Sequence, residues 1–320
     1  PESSMGPDGT CPDCGRPLIL MQEESYFFRA SKYVPRLIEH YEKHLSGVMP
    51  RIRYNEIMSF LRGEVRDQSV SRTTLKWGIP IPGDEKHVIY VWLDALMDYL
   101  SSLGFCAGGE RMEYWSDALH IVGKDILRFH AVYWPAFLMS LGLNMPRSIA
   151  AHGWWTRDGK KMSKSLGNVI DPLVSIEEYS ADVLRFTLAL LAVQGRDIKL
   201  SDEKMKLVRN FTNKLYNASK YLLLNESKFA NLSDAKIETK LGKYMLSRFN
   251  ECVREVRENI DAYRFNDAAN AIYKFLWDEF CDWGIELSKA DKGSVRELGA
   301  IFKETMRLLS PFMPFISEYL

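Results

Sequence analysis

HVIYVWL (His87–Leu93), ALHIV (Ala118–Val122) and SIAAHGWW (Ser148–Trp155) are short runs rich in apolar and β-branched residues. A helical pattern follows each of the first two runs, and the second helix is expected to begin near Asp125 and to end near Gly142. Strands that alternate with helices of ~10–15 residues predict right-handed crossovers and a parallel, doubly wound α/β sheet. Such sheets bind ligands beyond the carboxyl ends of their strands, so a functional site is expected there.

The C-terminal part of the chain has a different pattern. No proline occurs from Leu173 to Ser310. Apolar residues recur there at helical spacing. Examples are Leu207, Phe211 and Leu215, and further along Met245, Phe249, Val253 and Val256. We therefore predict an all-α helical bundle after the α/β part.

Composition limits the class of protein. Lysine plus arginine and aspartate plus glutamate each total 42 residues, so the formal net charge is zero, which argues weakly against a purely electrostatic nucleic-acid binder. The sequence has no apolar run of ~18 residues, and its five cysteines are an odd, sparse set that suits a reducing compartment. We expect a cytoplasmic protein with neither a membrane nor DNA as partner. Because it starts at Pro1 and ends at Leu320 inside a helical pattern, we also expect a fragment of a longer protein.

The strongest chemical signal is the pentapeptide KMSKS (Lys161–Ser165), which lies between Gly159 and Gly167. Two lysines and two hydroxyl groups on a glycine-flanked loop suit the binding of a polyphosphate. The ammonium groups can neutralise charge that builds on a departing pyrophosphate, which matters most in the transition state. A solvated lysine/serine loop is the alternative, but a specified pentapeptide arises by chance only on the order of once in ten thousand chains of this size.

This pentapeptide resembles the KMSKS signature of class I aminoacyl-tRNA synthetases, where it follows a parallel-sheet domain as it does here. The resemblance implies an ATP-dependent ligase with a Rossmann-like catalytic domain, with Mg²⁺ accompanying ATP and with tRNA as the acceptor of the amino acid. It also implies that four residues of the loop are catalytic: Lys161, Ser163, Lys164 and Ser165.

Further stretches resemble methionyl-tRNA synthetases. They are ESYFF (Glu24–Phe28), Ser71–Arg72, WGIP (Trp77–Pro80), YVWLDA (Tyr90–Ala95) and GKDILRFH (Gly123–His130). By this resemblance five residues line the methionine side-chain pocket: Trp92, Ala95, Tyr99, Ile126 and His130. A thioether is polarizable and favours contact with aromatic rings. Each aromatic residue alone would be ordinary core, and His130 alone an ordinary helix histidine, but the joint match in chain order favours the pocket.

The same resemblance implies adenylate contacts from Gly123, Asp125, His152 and Gly153. Glycine lets the backbone approach a ligand closely, and an aspartate at a helix start can accept hydrogen bonds from ribose hydroxyls. Asp125 could instead be a simple helix-start acid. Arg72 is a further candidate for contact with ATP, and a surface ion pair is its alternative.

The spacing of Cys11-Pro12-Asp13-Cys14-Gly15 is that of a metal knuckle. A structural zinc site needs four ligands, and a lone CxxC could also be redox-active or inert. In methionyl enzymes this element is half of a zinc knuckle, so the resemblance implies Zn²⁺ on Cys11 and Cys14 in the intact protein.

Beyond about residue 170 the resemblance changes to valyl-tRNA synthetases. The stretches that carry it include ADVLRFTL (181–188), GRDI (195–198), WDEFCDW (277–283) and SPFMPF (310–315). KKMSKSLGNVIDP (160–172) fits both families, so a join could lie within it. A natural hybrid, a recombinant gene and a splice in sequence assembly all remain open.

These resemblances predict four segments. They are a connective insertion with half a zinc knuckle (1–69), the carboxyl-terminal half of a Rossmann domain (70–155), the KMSKS loop with a tRNA stem-contact region (156–200), and a helical anticodon-binding domain (201–320).

The resulting expectation is a methionine–tRNA ligase whose partners are methionine and the initiator and elongator methionine tRNAs. The family's HIGH motif is absent from the sequence, so we expect the chain alone to be inactive. Valine–tRNA ligase, a non-catalytic tRNA-binding protein derived from a synthetase, and another nucleotidyl transferase of the superfamily remain alternatives.

Overall fold

The computed structural model describes residues 9–11, 16–18, 22–157, 160–162, 167–225 and 228–320. The chain divides into two compact units, Pro1–Gly153 and Trp154–Leu320, each with its own hydrophobic core. None of the helices within the described ranges combines the length and the apolar content that crossing a bilayer requires.

The first unit contains eight described strands and four α-helices. The strands are β1 (Phe27–Phe28), β2 (Val48–Met49), β3 (Gln68–Ser69), β4 (Ser71–Arg72), β5 (Pro80–Ile81), β6 (Asp84–Ile89), β7 (Leu119–Gly123) and β8 (Ser148–His152). The α-helices are α1 (Val34–Lys43), α2 (Arg51–Arg62), α3 (Val91–Ser101) and α4 (Trp134–Ser140). Shorter 3₁₀ turns lie at Ala30–Tyr33, Met112–Asp117 and Lys124–Ile126, and a π-helical turn lies at Phe129–Tyr133.

A parallel three-stranded sheet, in the order β2-β8-β7, forms the centre of this unit. The register pairs Leu119 with Ser148 and continues to Gly123 opposite His152. This sheet confirms the predicted Rossmann-like α/β fold class. The helices α1 and α2 bury apolar side chains in the same cluster as β7 and β8, so the structure places them against this sheet, although the sequence assigns them to an insertion.

The prediction that His87–Leu93 forms a strand of the parallel sheet is wrong. β6 ends at Ile89 and α3 begins at Val91, so Trp92 is helical. β6 also pairs antiparallel with β4 and β5 in a sheet of its own. A tight turn at Gly83, whose φ is +83°, connects β5 to β6 and favours this hairpin. The periodicity of a short apolar run does not distinguish a buried strand from a buried helix, which is why the prediction failed.

The second unit contains three short strands followed by a helical bundle. The strands are β9 (Trp155–Arg157), β10 (Lys160–Lys161) and β11 (Ile198–Lys199). The helices are α5 (Pro172–Tyr179), α6 (Ala181–Leu191), α7 (Asp202–Asn225), α8 (Lys240–Asp261), α9 (Phe265–Lys274), α10 (Glu286–Ser288), α11 (Ser294–Leu309) and α12 (Pro314–Tyr319), with a π-helical stretch at Phe275–Ile285. The predicted helical bundle is confirmed.

Most of the apolar residues that recur at helical spacing lie in the bundle core. Phe211, Leu215 and Met245 are fully buried, as the helical spacing predicts. Leu207 shares this spacing but is 54% exposed, so it does not belong to the bundle core. It lies one turn before Phe211 on α7, where the described elements of the bundle leave it partly open to solvent. Helical spacing shows which face of a helix is apolar but not how far along the helix that face is packed.

Asp182 and Arg185 of the ADVLRFTL stretch hold the last part of the described chain. The carboxylate of Asp182, which is 4% exposed, accepts hydrogen bonds from the backbone N–H groups of Phe315 (3.2 Å) and Ile316 (2.6 Å) at the start of α12. Arg185 donates to the carbonyls of Pro311 (2.8 Å) and Phe312 (3.3 Å). Two motifs far apart in sequence therefore form one structural contact.

Replacing Asp182 with alanine removes both hydrogen bonds to α12. Because the acceptor is a buried carboxylate, we expect Asp182→Ala to lower the free energy of unfolding by ~1.5–3 kcal/mol, measured by urea unfolding. Glu177→Ala, at an exposed acid on α5, is the matched control and should change it by less than ~0.5 kcal/mol. Equal effects of the two substitutions would contradict this account of the contact.

Candidate active site

The carboxyl ends of β7 and β8 meet at one edge of the parallel sheet, where Gly123 lies opposite His152. A Cβ atom at position 123 would lie 2.5 Å from Oδ1 of Asp125 and 3.7 Å from Cε1 of His152. Any other residue at 123 would therefore displace the Asp125 carboxylate. His152 donates through Nδ1 to the carbonyl of Gly153, at 2.8 Å. The structure thus brings together four of the predicted adenylate residues, although their role stays a prediction.

Aromatic side chains from α3 and from the helical segment after β7 form a compact cluster. Trp92 stacks on Phe129 with ring centroids 4.1 Å apart, and its edge faces His130 at 6.4 Å. Tyr99 hydrogen-bonds to Nε2 of His130 at 3.0 Å. Ala95 lies on α3 between Trp92 and Tyr99, at spacings of three and four residues that place all three on one helix face. The predicted methionine-pocket residues therefore share one region of the first unit.

The hydrogen bonds of His130 define its tautomer. Its Nδ1 lies 3.0 Å from the carbonyl oxygen of Ile126, which can only accept, so Nδ1 carries the proton. In the neutral ring Nε2 is then an acceptor, and the Tyr99 hydroxyl donates to it. Burial lowers the pKa of His130, which favours this neutral form, while the hydrogen bond to Ile126 raises it in part.

His120 belongs to the same cluster, and the sequence interpretation missed it. It is buried on β7, where its Nε2 accepts a hydrogen bond from the indole N–H of Trp134 at 3.2 Å. The centroid of its ring lies 4.4 Å from the ring centroid of Tyr99 and 5.6 Å from that of His130. Burial, and secondly the nearby His130, lower the pKa of His120 to about 4. The sequence did carry a signal for His120. It lies two positions before Val122 in a predicted strand, and residues two apart face the same side, so the alternation puts His120 on the buried face with Val122.

Arg72 is held by neighbours within the first unit. It donates to Ser69 Oγ at 2.5 Å and to the Ser71 carbonyl at 2.7 Å, and its guanidinium lies 4.1 Å from the ring centre of Tyr90. Its Nε lies 3.9 Å from the Glu23 carboxylate, so the ion pair that was its alternative is present. Backbone N–H groups of Thr74 and Thr73 bond to Glu23 and hold the pKa of that carboxyl at about 2. The predicted contact of Arg72 with ATP stays a prediction.

Lys161, the first residue of the KMSKS pentapeptide, lies in the short strand β10. Lys160 and Lys161 pair antiparallel with Arg157 and Thr156 of β9, and β9 pairs in parallel with β11. Asp197, from the GRDI stretch, accepts a hydrogen bond from the backbone of Trp154 at 3.0 Å. The GRDI stretch therefore supports the strand that leads into the loop. Three predicted catalytic residues, Ser163, Lys164 and Ser165, lie outside the described residues.

Of the two predicted zinc ligands, the structure describes only Cys11. Cys11 donates its backbone N–H to the carbonyl of Arg16 at 2.8 Å, and Thr10 forms an isolated antiparallel bridge with Pro17. Cys14 lies outside the described residues. Within the described ranges no group of three or more His, Cys, Asp or Glu side chains could hold a metal ion, so these residues alone do not make a four-ligand zinc site.

Comparison with known proteins places this fold and site in a family. Residues 6–223 match the family described as tRNA synthetases class I (M), and residues 242–320 match the anticodon-binding domain of tRNA ligase. The first match covers more than half of the chain, so the chain belongs to the class I tRNA synthetase family.

Relatives with two amino-acid specificities resemble the chain. It is 52% identical to a valine–tRNA ligase of Campylobacter jejuni over 254 residues, which is 74% of the chain and 28% of that protein. It is 39% identical to a methionine–tRNA ligase of Thermotoga maritima over 328 residues, which is 98% of the chain and 52% of that protein. The chain thus spans between about a quarter and a half of these relatives. The predicted likeness to both kinds of synthetase is confirmed, and the two likenesses overlap along the chain.

A solved structure resembles the chain over almost its whole length. The structure of Mycobacterium tuberculosis methionyl-tRNA synthetase in complex with methionyl-adenylate superposes with a TM-score of 0.87 at 33% identity. The match covers 99% of this chain and 67% of that one.

The two buried imidazoles predict a pH dependence of stability. The pKa of His120 is about 4 in the folded chain against an ordinary 6.5, so as the pH falls through this range the unfolded chain binds a proton that the folded chain does not. We expect the free energy of unfolding to fall by up to ~3 kcal/mol between pH ~6.5 and ~4.

The variant His120→Gln, whose amide oxygen can still accept from Trp134, should lose most of this fall. His44→Gln, at an exposed histidine of the first unit, is the control and should keep it. Urea unfolding at several pH values measures the effect. A wild-type slope retained in His120→Gln would rule out His120 as its source.

Proposed function

We propose that this chain is the methionine-selecting and tRNA-binding part of a methionine–tRNA ligase. The reaction is activation of methionine with ATP to methionyl-adenylate and pyrophosphate, followed by transfer of the acyl group to tRNA. The observation that carries the proposal is the hydrogen bond from Tyr99 to the neutral His130 beside the stacked rings of Trp92 and Phe129.

The chemistry of this cluster suits methionine. Its side chains are mostly aromatic, and its imidazoles are neutral because they are buried. A thioether is apolar, polarizable and attracted to aromatic rings, and it needs no charged partner. Valine is shorter and would leave part of such a pocket empty, at a cost of ~1–3 kcal/mol for each missing methylene.

The edge formed by Gly123, Asp125 and His152 suits the nucleotide. Ligands of parallel sheets bind beyond the carboxyl ends of the strands, and the Asp125 carboxylate is exposed there and can accept from ribose hydroxyls. ATP binds with Mg²⁺ in this proposal, and Lys161 and Lys164 neutralise charge on the departing pyrophosphate. Catalysis then consists of positioning and charge stabilisation, without a covalent enzyme intermediate.

The helical bundle would bind tRNA. Residues 242–320 match an anticodon-binding domain, and proteins read unpaired RNA bases by stacking and by polar contacts to base edges. Initiator and elongator methionine tRNAs are the proposed partners.

Valine–tRNA ligase is a second candidate, favoured by the 52% identity to the Campylobacter jejuni enzyme. The alternatives differ in the amino acid that enters the first unit. Selection for valine would require a smaller pocket than the aromatic cluster around Tyr99 and His130.

Removal of the Tyr99 hydroxyl tests the pocket. We expect Tyr99→Phe to weaken methionine binding by ~10-fold, because Nε2 of His130 loses its donor and is left buried without a partner. Tryptophan fluorescence during titration with methionine, in the gene product that carries these residues, measures this. Tyr114→Phe, at a tyrosine that is 65% exposed, should bind like wild type. If both variants bind equally well, Tyr99 does not contact the site.

Replacement of Lys164 tests the role of the loop. We expect Lys164→Ala to slow adenylate formation by ~10²–10³-fold while the Kd for methionine stays unchanged, because the ammonium acts on charge that develops in the transition state. Pre-steady-state pyrophosphate exchange measures the rate. Lys160→Ala, just outside the pentapeptide, is the control and should react at a rate near that of wild type. A raised Kd with an unchanged rate would contradict the proposed role.

A further inference from the structure

A cavity of about 270 Å³ lies inside the second unit, between α6, α7 and α9. Its walls are largely aliphatic, with Leu190, Leu191, Leu207 and Val208 among the lining residues. Pockets for drug-sized ligands measure ~300–1,000 Å³, so this cavity suits a smaller molecule. The partial exposure of Leu207, which the helical pattern does not explain, is accounted for by its position at this cavity.

Thr187 lines the cavity with a hydroxyl group that has no partner. The residue is 1% exposed, and its Oγ1 makes no hydrogen bond to any described residue. Helical threonines can bond to the carbonyl four residues earlier, as Thr212 does to Val208 (3.1 Å) and Thr305 to Ile301 (2.7 Å). Because a buried hydroxyl without a partner is unfavourable, a ligand that bonds to Thr187 gains the full benefit of that bond.

Three further polar groups line the cavity without protein partners. Within the part of the chain that the structure describes, the Lys204 ammonium, the Asn270 amide and the Tyr273 hydroxyl make no hydrogen bond or ion pair. Lys204 and Asn270 are exposed, and Lys204 is the one charged group among the described lining residues. The cavity therefore combines an apolar wall, a buried hydroxyl and a cation in contact with solvent.

We propose that this cavity binds a small organic monoanion whose apolar body contacts the leucine and valine side chains. Its carboxylate pairs with Lys204, and a hydrogen-bonding group at its other end bonds to Thr187. This site is separate from the proposed ligase chemistry, because none of its residues belongs to the candidate active site. An unpaired nucleotide fits less well, because nucleotide bases stack on free aromatic faces. The ring of Tyr273 already packs against the rings of Phe211 and Trp277, with centroids 4.9 and 5.6 Å apart.

Three related probes separate the two polar contacts. They are 3-(4-hydroxyphenyl)propionate, its amide, which lacks the charge, and 3-phenylpropionate, which lacks the hydroxyl. Binding to the full 320-residue chain, labelled at leucine and valine methyl groups, is followed by NMR. We expect the first probe to shift the methyl signals of Leu190, Leu191, Leu207 and Val208 with a Kd on the order of 1 mM or lower. Loss of the charge or of the hydroxyl should each weaken binding about fivefold.

Matched variants assign each contact. In Lys204→Ala the acid and the amide should bind equally, whereas Lys206→Ala, at an exposed lysine two positions along α7 that does not line the cavity, should keep the fivefold difference. In Thr187→Val, which should have a Tm no lower than that of wild type, the two acids should bind equally. Probe-induced shifts confined to other methyl groups, or equal binding of all three probes to wild type, would overturn the proposal. Shifts of these methyl groups by a tRNA transcript and by none of the probes would also overturn it, because the cavity would then be a nucleotide site.

Discussion

The parallel, in-register pairing of β7 with β8 is the constraint on which the candidate active site depends. Because the two strands run in the same direction, Gly123 and His152 end at the same edge. The chain leaves β7 through a 3₁₀ turn that carries Asp125, and a π-helical turn then places His130 within hydrogen-bond distance of Tyr99. π-helical turns are rare and occur often at functional sites. One strand pair and the turn that follows it therefore position both the proposed nucleotide contacts and the proposed amino-acid contacts.

The second feature of the site is that its two imidazoles are neutral and each has a fixed role. Tyr99 donates to His130, and Trp134 donates to His120, so each Nε2 is an acceptor. In the proposed pocket, neutral rings in an aromatic surrounding leave size, shape and polarizability as the properties that distinguish one bound side chain from another. Among the described residues, none of the hydrogen-bond partners of these two rings is a carboxylate, so a protonated imidazole would have no acidic partner there. The burial that keeps the two imidazoles neutral thus also lowers the stability of the folded chain towards acid.

Local sequence patterns predicted part of this arrangement. β7, β8 and the helix after Asp125 follow from apolar runs with helical spacing between them, whereas the sequence pattern put Trp92 in a strand and the structure places it in α3. The pairing of β2 with β8 was not predictable in this way, because it joins two residues, Val48 and Met49, to a strand ~100 positions away. The same holds for His120, whose partners come from α3 and α4. Contacts between distant segments produce no periodic pattern in the sequence. The fold class could therefore be predicted from the sequence, but the contact partners of individual side chains could not.

The motifs that resemble valyl-tRNA synthetases make structural contacts in the second unit. Asp182 and Arg185 hold the SPFMPF stretch, and GRDI supports β9. We propose that the aromatic cluster of the first unit selects the amino acid. This proposal is tested most directly by competitive adenylate formation with equal concentrations of methionine and valine, in the gene product that carries these 320 residues. We expect methionyl-adenylate to exceed valyl-adenylate by at least ~10-fold. Preferential formation of valyl-adenylate would contradict the proposal.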